Sequence, residues 1–161
     1  MWRGFTLLGA ASAVLLAGSP RAAAEPAVTM NTTYYSITGT TSAELKAQMR
    51  SRGPQGYWAY TRWYVRWSGD CRISLEISYG FPKWENQAQA PAELQAAWNQ
   101  MMTALRTHEQ GHAENGRSAA REIEASRCAG DPKAIVRKWA EQDKVYDAQT
   151  NHGRTQGVVL P

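Results

Sequence analysis

The feature that most constrains this chain is one apolar stripe. Leu94, Trp98, Met101 and Leu105 recur every three or four residues, and the same step continues through His108 and His112 to Ala119 and Ile123. That spacing defines one face of a long amphipathic helix, beginning after Pro91 and broken at Gly130-Asp131-Pro132. A fold that buries this face also buries two imidazoles, and buried imidazoles need partners.

The break itself starts a second helix. Asp131 is placed to cap it, with Pro132 at the first helical position. This helix runs to about Thr150 through Ile135, Trp139 and Val145, and Asn151-His152-Gly153 forms its exit. Upstream, the pattern turns extended. Thr33 to Ile37 reads as a strand closed by Gly39, and Ser42 caps a short helix over Ala43 to Arg50 that Gly53-Pro54 ends. Tyr57 to Trp67 is a long strand of aromatic and β-branched residues. Ser68-Gly69-Asp70 makes the turn, and Cys71 to Tyr79 returns as the other half of a β-hairpin that ends at Gly80 to Pro82. Alternation puts Tyr57, Ala59, Thr61, Trp63, Val65 and Trp67 on a face beneath the long helix. Trp58, Tyr60, Arg62, Tyr64 and Arg66 fall on the other face. The expected fold is α+β: a small, mostly antiparallel sheet packed against the long helix and a second, C-terminal helix.

The stripe carries chemistry at His108-Glu109-Gln110-Gly111-His112, the HExxH pattern of zinc hydrolases. Two histidines four apart project from one side of a helix and reach a single ion. One Zn²⁺ suits neutral imidazole, and a catalytic site keeps its fourth position for water. Glu109 follows the first ligand and is placed to take that water's proton. This arrangement makes the fold zincin-like and Glu109 the catalytic candidate.

The third ligand is open. One metalloprotease class continues with a glycine and a third histidine, but Asn115 and Ser118 stand at those positions, so that class is excluded. The chain has three histidines, and the remaining one is His152. A second helix returning antiparallel brings its C-terminal end near the motif, which makes His152 the first choice, Asp147 the second and Glu141 the third. With His152 as ligand, Asp147 becomes a partner for a ligand imidazole. Asp143 is a further acid on that helix. Tyr146 and Arg154 are candidates for stabilising a developing oxyanion.

Residues 1–24 are read separately. Arg3, an apolar run from Phe5 to Ala17, and Ala22-Ala23-Ala24 form the pattern of a secretory signal peptide cleaved after Ala24. The expected product is a single domain, 25–161, in the periplasm or secreted, with no stable membrane anchor. Arg3 and Arg21 are the only charged residues of the leader, so its removal lowers the net charge from +4 to +2. That mild charge, without Lys/Arg clusters, gives no reason to expect nucleic acid. In an oxidising compartment the two cysteines, Cys71 and Cys128, are expected to form one disulfide.

Three segments, Tyr57 to Trp63, His108 to His112 and Tyr146 to Gly153, resemble a bacterial family of unknown function described as predicted secreted zinc-dependent proteases. The resemblance spans nearly all of residues 25–161. It implies zinc and peptidase-like chemistry, and roles for His152 and Asp147. The expected activity is hydrolysis of a peptide or protein substrate in the cell envelope. Two alternatives stand beside it. One is another envelope zinc amidase. The other is a non-catalytic, zinc-stabilised module that binds peptide or glycan through the aromatic strand 57–67.

Overall fold

A computed structural model describes residues 25–161; the expected signal peptide lies outside the described residues. Strand β1 (Ala27–Ile37) leads into helix α1 (Ser42–Arg52) and a 3-10 turn at Pro54–Gly56. Strands β2 (Tyr60–Trp67) and β3 (Ile73–Trp84) follow, then a 3-10 turn at Gln87–Gln89. Helices α2 (Ala92–Ala125) and α3 (Pro132–Thr150) and a last 3-10 turn at Arg154–Gln156 complete the order.

The class is α+β as expected, but the sheet is mixed rather than mostly antiparallel. Its order is β1-β3-β2. β2 and β3 form the expected antiparallel hairpin, with Tyr60 opposite Gly80 and Trp67 opposite Ile73. The longer ladder is parallel, from Ala27 beside Ser74 to Ile37 beside Trp84. Local signals reveal a hairpin because its strands are neighbours in the sequence. They do not reveal β1–β3, which forms across α1 and β2.

Boundaries move for local reasons. Cys71 takes a left-handed φ of 56°, so the hairpin loop extends to Arg72 and β3 starts at Ile73. β3 also runs through Gly80-Phe81-Pro82 to Trp84. Pro82 is tolerated because the pairing with β2 ends where Tyr60 lies opposite Gly80, so no neighbour on that side needs its missing N–H. α1 is capped by Thr41 rather than Ser42. The Thr41 hydroxyl accepts from the Glu44 N–H, and the Glu44 carboxylate accepts from the Thr41 N–H, a capping box. Hydrogen bonds from Thr40, then Thr41, hold the Glu44 pKa below its ordinary value.

Along the long stripe Trp98, Met101, Leu105, His108, Ala119 and Ile123 are buried, and Leu94 and His112 are half-buried. Asp131 accepts from the Lys133 N–H at the start of α3, with Pro132 in the first turn. α3 departs from expectation in the face it presents. Val145 is 38% exposed, and polar residues face α2 instead. The core is in two parts. One gathers Ile37, Leu45, Met49, Phe81 and Trp84 around Trp98, Met101, Met102 and Leu105 of α2. The other gathers Ile73, Leu75 and Ile77 around Ala113, Ala120 and Ile123. A disulfide joins Cys71 to Cys128 beside this second part, as expected. Among the described residues, no helix is long and apolar enough to cross a membrane.

Candidate metal centre

The motif lies in the middle of α2, where the antiparallel return of α3 faces it. His108 and His112 are one turn apart on α2, and Asp143 and Asp147 are one turn apart on α3, so the two pairs oppose each other. Tight packing sets the spacing. A Cβ on Gly111 would stand 2.3 Å from the Tyr146 hydroxyl, and one on Gly116 would stand 2.7 Å from the Trp63 ring. These two glycines let α3 and β2 press against the α2 backbone.

Three atoms converge. His108 Nε2 is 3.3 Å from His112 Nε2, and Asp147 Oδ1 is 3.2 Å from each. Hydrogen bonds fix what those atoms present. His108 Nδ1 lies 2.9 Å from Gln156 Oε1, and His112 Nδ1 lies 3.1 Å from Asp143 Oδ1. Each partner can accept, so with the hydrogen on each Nδ1 both Nε2 atoms offer a lone pair. Two lone pairs and a carboxylate oxygen in mutual contact repel one another unless a cation stands among them. A tetrahedral ion with bonds near 2.0 Å needs donors about 3.3 Å apart, and this triangle has that edge. The residues therefore fit a metal ion, and among the described residues these three form a group that could hold one.

The supporting contacts are equally specific. Asp143 Oδ1 also accepts from Asn115 at 2.7 Å, and its Oδ2 accepts from the Trp63 indole at 2.8 Å. Tyr146 stacks on His108 with ring centroids 5.1 Å apart, and its hydroxyl accepts from Gln156 at 3.0 Å. Burial lowers the His108 pKa, opposed in part by its bond to Gln156. For His112 burial acts downward too. There, the Asp143 hydrogen bond and the charges of Asp147, Glu109 and Asp143 together lift the pKa above its usual value.

Glu109 is 4% exposed beside this triangle. The Thr61 hydroxyl bonds Oε2 at 2.6 Å and also lies 3.1 Å from the Glu109 carbonyl. Burial raises the Glu109 pKa, and the Thr61 bond offsets part of the rise. A cleft of about 640 Å³ opens over the site. Tyr57, Tyr60 and Thr61 form one wall, Asp143, Lys144 and Asp147 another, and His152 and Arg154 the end.

The other residues singled out in the sequence fall as follows. His152 lines the cleft but is outside the donor triangle. Its side chain is 58% exposed, and its Nδ1 stands 3.5 Å from Asp147 Oδ1. Asn151 and His152 both adopt left-handed φ, 48° and 50°, as α3 ends. Glu141 is away from the cluster, paired with Lys144 at 2.7 Å. Arg154 lines the cleft, whereas Tyr146 does not; its hydroxyl is held by Gln156. In the aromatic segment, Tyr57 is exposed and Trp58 packs against the first core, the reverse of strict alternation, because the strand begins only at Tyr60. Thr61 and Trp63 face α2 as expected. Sequence reasoning missed Gln156 and the supporting roles of Asn115 and Thr61, whose partners lie far along the chain.

A family model described as "Bacterial protein of unknown function (DUF922)" matches residues 32–153. That span holds His108, His112 and His152 with Glu109, Asp143 and Asp147, and stops short of Arg154 and Gln156. No curated protein and no solved structure matches the chain.

Proposed function

We propose that this chain, which belongs to the DUF922 family of bacterial proteins of unknown function, is a zinc-dependent hydrolase of peptide or related amide bonds. One observation carries the reading. The lone-pair triangle of His108, His112 and Asp147 lies in an open cleft beside the buried carboxylate of Glu109. Two imidazoles and one carboxylate in tetrahedral spacing suit zinc. When bound, zinc polarises a substrate carbonyl and lowers the pKa of water.

The protein's own groups supply the rest. Thr61 holds Glu109 Oε2, which leaves Oε1 without a protein partner to accept a proton from the attacking water. The same carboxyl returns that proton to the departing amine. Its raised pKa brings the carboxyl nearer to the range in which it can both take and give a proton. Gln156 and Asp143 keep both imidazoles in the ligating tautomer. Arg154, at the end of the cleft, provides positive charge for an oxyanion or a substrate carboxylate. The reading includes export: the substrate is an envelope peptide or protein, met in the periplasm or outside the cell.

Elemental analysis of the purified protein tests it, followed by hydrolysis assays on unfolded proteins and envelope peptides. One zinc per chain is expected, with activity lost to a chelator and restored by zinc. Protein that takes up no zinc contradicts the reading. Zinc uptake with no hydrolysis of any amide supports the non-catalytic binding module instead.

A further inference from the structure

Strand β1 carries a surface that the metal centre does not use. Of the seven exposed large hydrophobic residues among the described ones, three lie on it: Val28 at 45%, Met30 at 61% and Tyr34 at 54%. In the parallel register they stand beside Leu75, Ile77 and Phe81, which are buried. The apolar face of the sheet therefore continues on β1 beyond the cover that α2 provides.

The outer edge of β1 is open as well. The Ile37 carbonyl accepts from the Glu85 N–H at 3.0 Å, on the β3 side. The Ser36 carbonyl accepts instead from Arg52 at 3.0 Å, on the opposite side. Backbone groups alternate along a strand, so the N–H and C=O of Val28, Met30, Thr32 and Tyr34 point away from β3. Among the described residues nothing pairs with them. Exposed edges are usually protected by charge, proline or a bulge. Ala27–Ile37 contains no charged residue, no proline and no glycine.

We propose that β1 pairs antiparallel with β1 of a second copy of this chain, about a two-fold axis at Asn31, joining the two sheets edge to edge. The strand is complementary to itself in that register. Val28 faces Tyr34, Met30 faces Thr32, Thr29 faces Thr33, and Asn31 faces its own copy. Aromatic with β-branched and threonine with threonine are favourable cross-strand pairs, and no like charges are opposed. Each residue from 28 to 34 that directs its backbone outward meets another that does the same. Of the flanking charges on α2, Arg117 lies 3.6 Å from Glu114, which also pairs with Arg121. An isologous contact of this kind closes at two copies.

Sedimentation equilibrium of the protein isolated from the cell envelope should show a dimer. Thr32→Pro removes an outward N–H and spares the β1–β3 ladder, and Thr32→Lys sets an ammonium on the apolar face. Each should raise the dimer dissociation constant by about tenfold or more, with circular dichroism and metal content unchanged. Asn31→Cys provides the test of register. Non-hydrogen-bonded residues in an antiparallel pair have Cα atoms about 4.5 Å apart, close enough for a disulfide. Asn31→Cys should therefore crosslink the copies, and Thr29→Cys should not. A monomer at all accessible concentrations overturns the proposal, whether or not it takes up an extended peptide along β1. A dimer that both Thr32 variants leave intact overturns it equally.

Discussion

The Trp63 indole donates to Asp143 Oδ2 at 2.8 Å, while the other oxygen of that carboxylate receives His112 Nδ1 at 3.1 Å. The sheet thus reaches a candidate metal ligand, His112, through Trp63 and Asp143. Partners of this kind set the orientation and basicity of a ligand histidine, and their loss lowers metal affinity by about 10–100-fold. Asp143→Ala should show that fall in a competition titration with a chromophoric chelator. Trp63→Phe keeps the His112 contact and should fall less. Parent-like affinity in Asp143→Ala would mean that His112 needs no such support.

The donor triangle ranks the ligands. Asp147→Ala removes one of three converging atoms and should abolish stoichiometric zinc binding, whereas His152→Ala should leave stoichiometry near one. Equilibrium dialysis with elemental analysis distinguishes the two. The reverse order would give the third position to His152.

Glu109→Gln keeps the shape and the Thr61 contact but cannot take a proton. Zinc content should match the parent, and turnover should drop by roughly 10²–10⁴, the contribution of a positioned general base. Full activity in a chelator-sensitive assay would remove Glu109 from the mechanism.

The histidine pair and its burial were legible because helix periodicity is local, and so were the Asp131-Pro132 start of α3 and the hairpin. The parallel β1–β3 ladder was not, since its partners are 47 residues apart along the chain, as from Ala27 to Ser74. Side-chain type favoured His152 over Asp147 as a ligand. In the structure Asp147 stands in the donor triangle, while the His152 imidazole, after the left-handed turn at Asn151 and His152, lines the cleft and is largely exposed. Gln156 had no sequence signal, as an amide in a short 3-10 turn looks like any exposed loop residue.

Gly111 fills a position that the motif leaves free, yet the structure allows no side chain there. Gly111→Ala should destabilise the fold by about 1–3 kcal/mol, the usual effect of overpacking, and weaken metal binding by pushing α3 outward. Adding Tyr146→Ala should restore part of the stability, measured by urea unfolding. No change in either quantity for Gly111→Ala would show that Tyr146 swings aside freely.

The Cys71–Cys128 bridge spans 57 residues. Replacing both cysteines with alanine should lower unfolding free energy by about 2–4 kcal/mol. Thiol titration of the denatured, unreduced parent should find no free thiol.

Leu105 of α2 belongs to one half of the core and Ala113 to the other, and His108 and His112 lie in the gap between them. An ion gripped there from α3 would act as a rivet across the seam of the molecule. Chelation should therefore do more than stop turnover. In calorimetry, a single melting transition of the zinc-loaded protein should separate into two, with the disulfide-bearing half melting last.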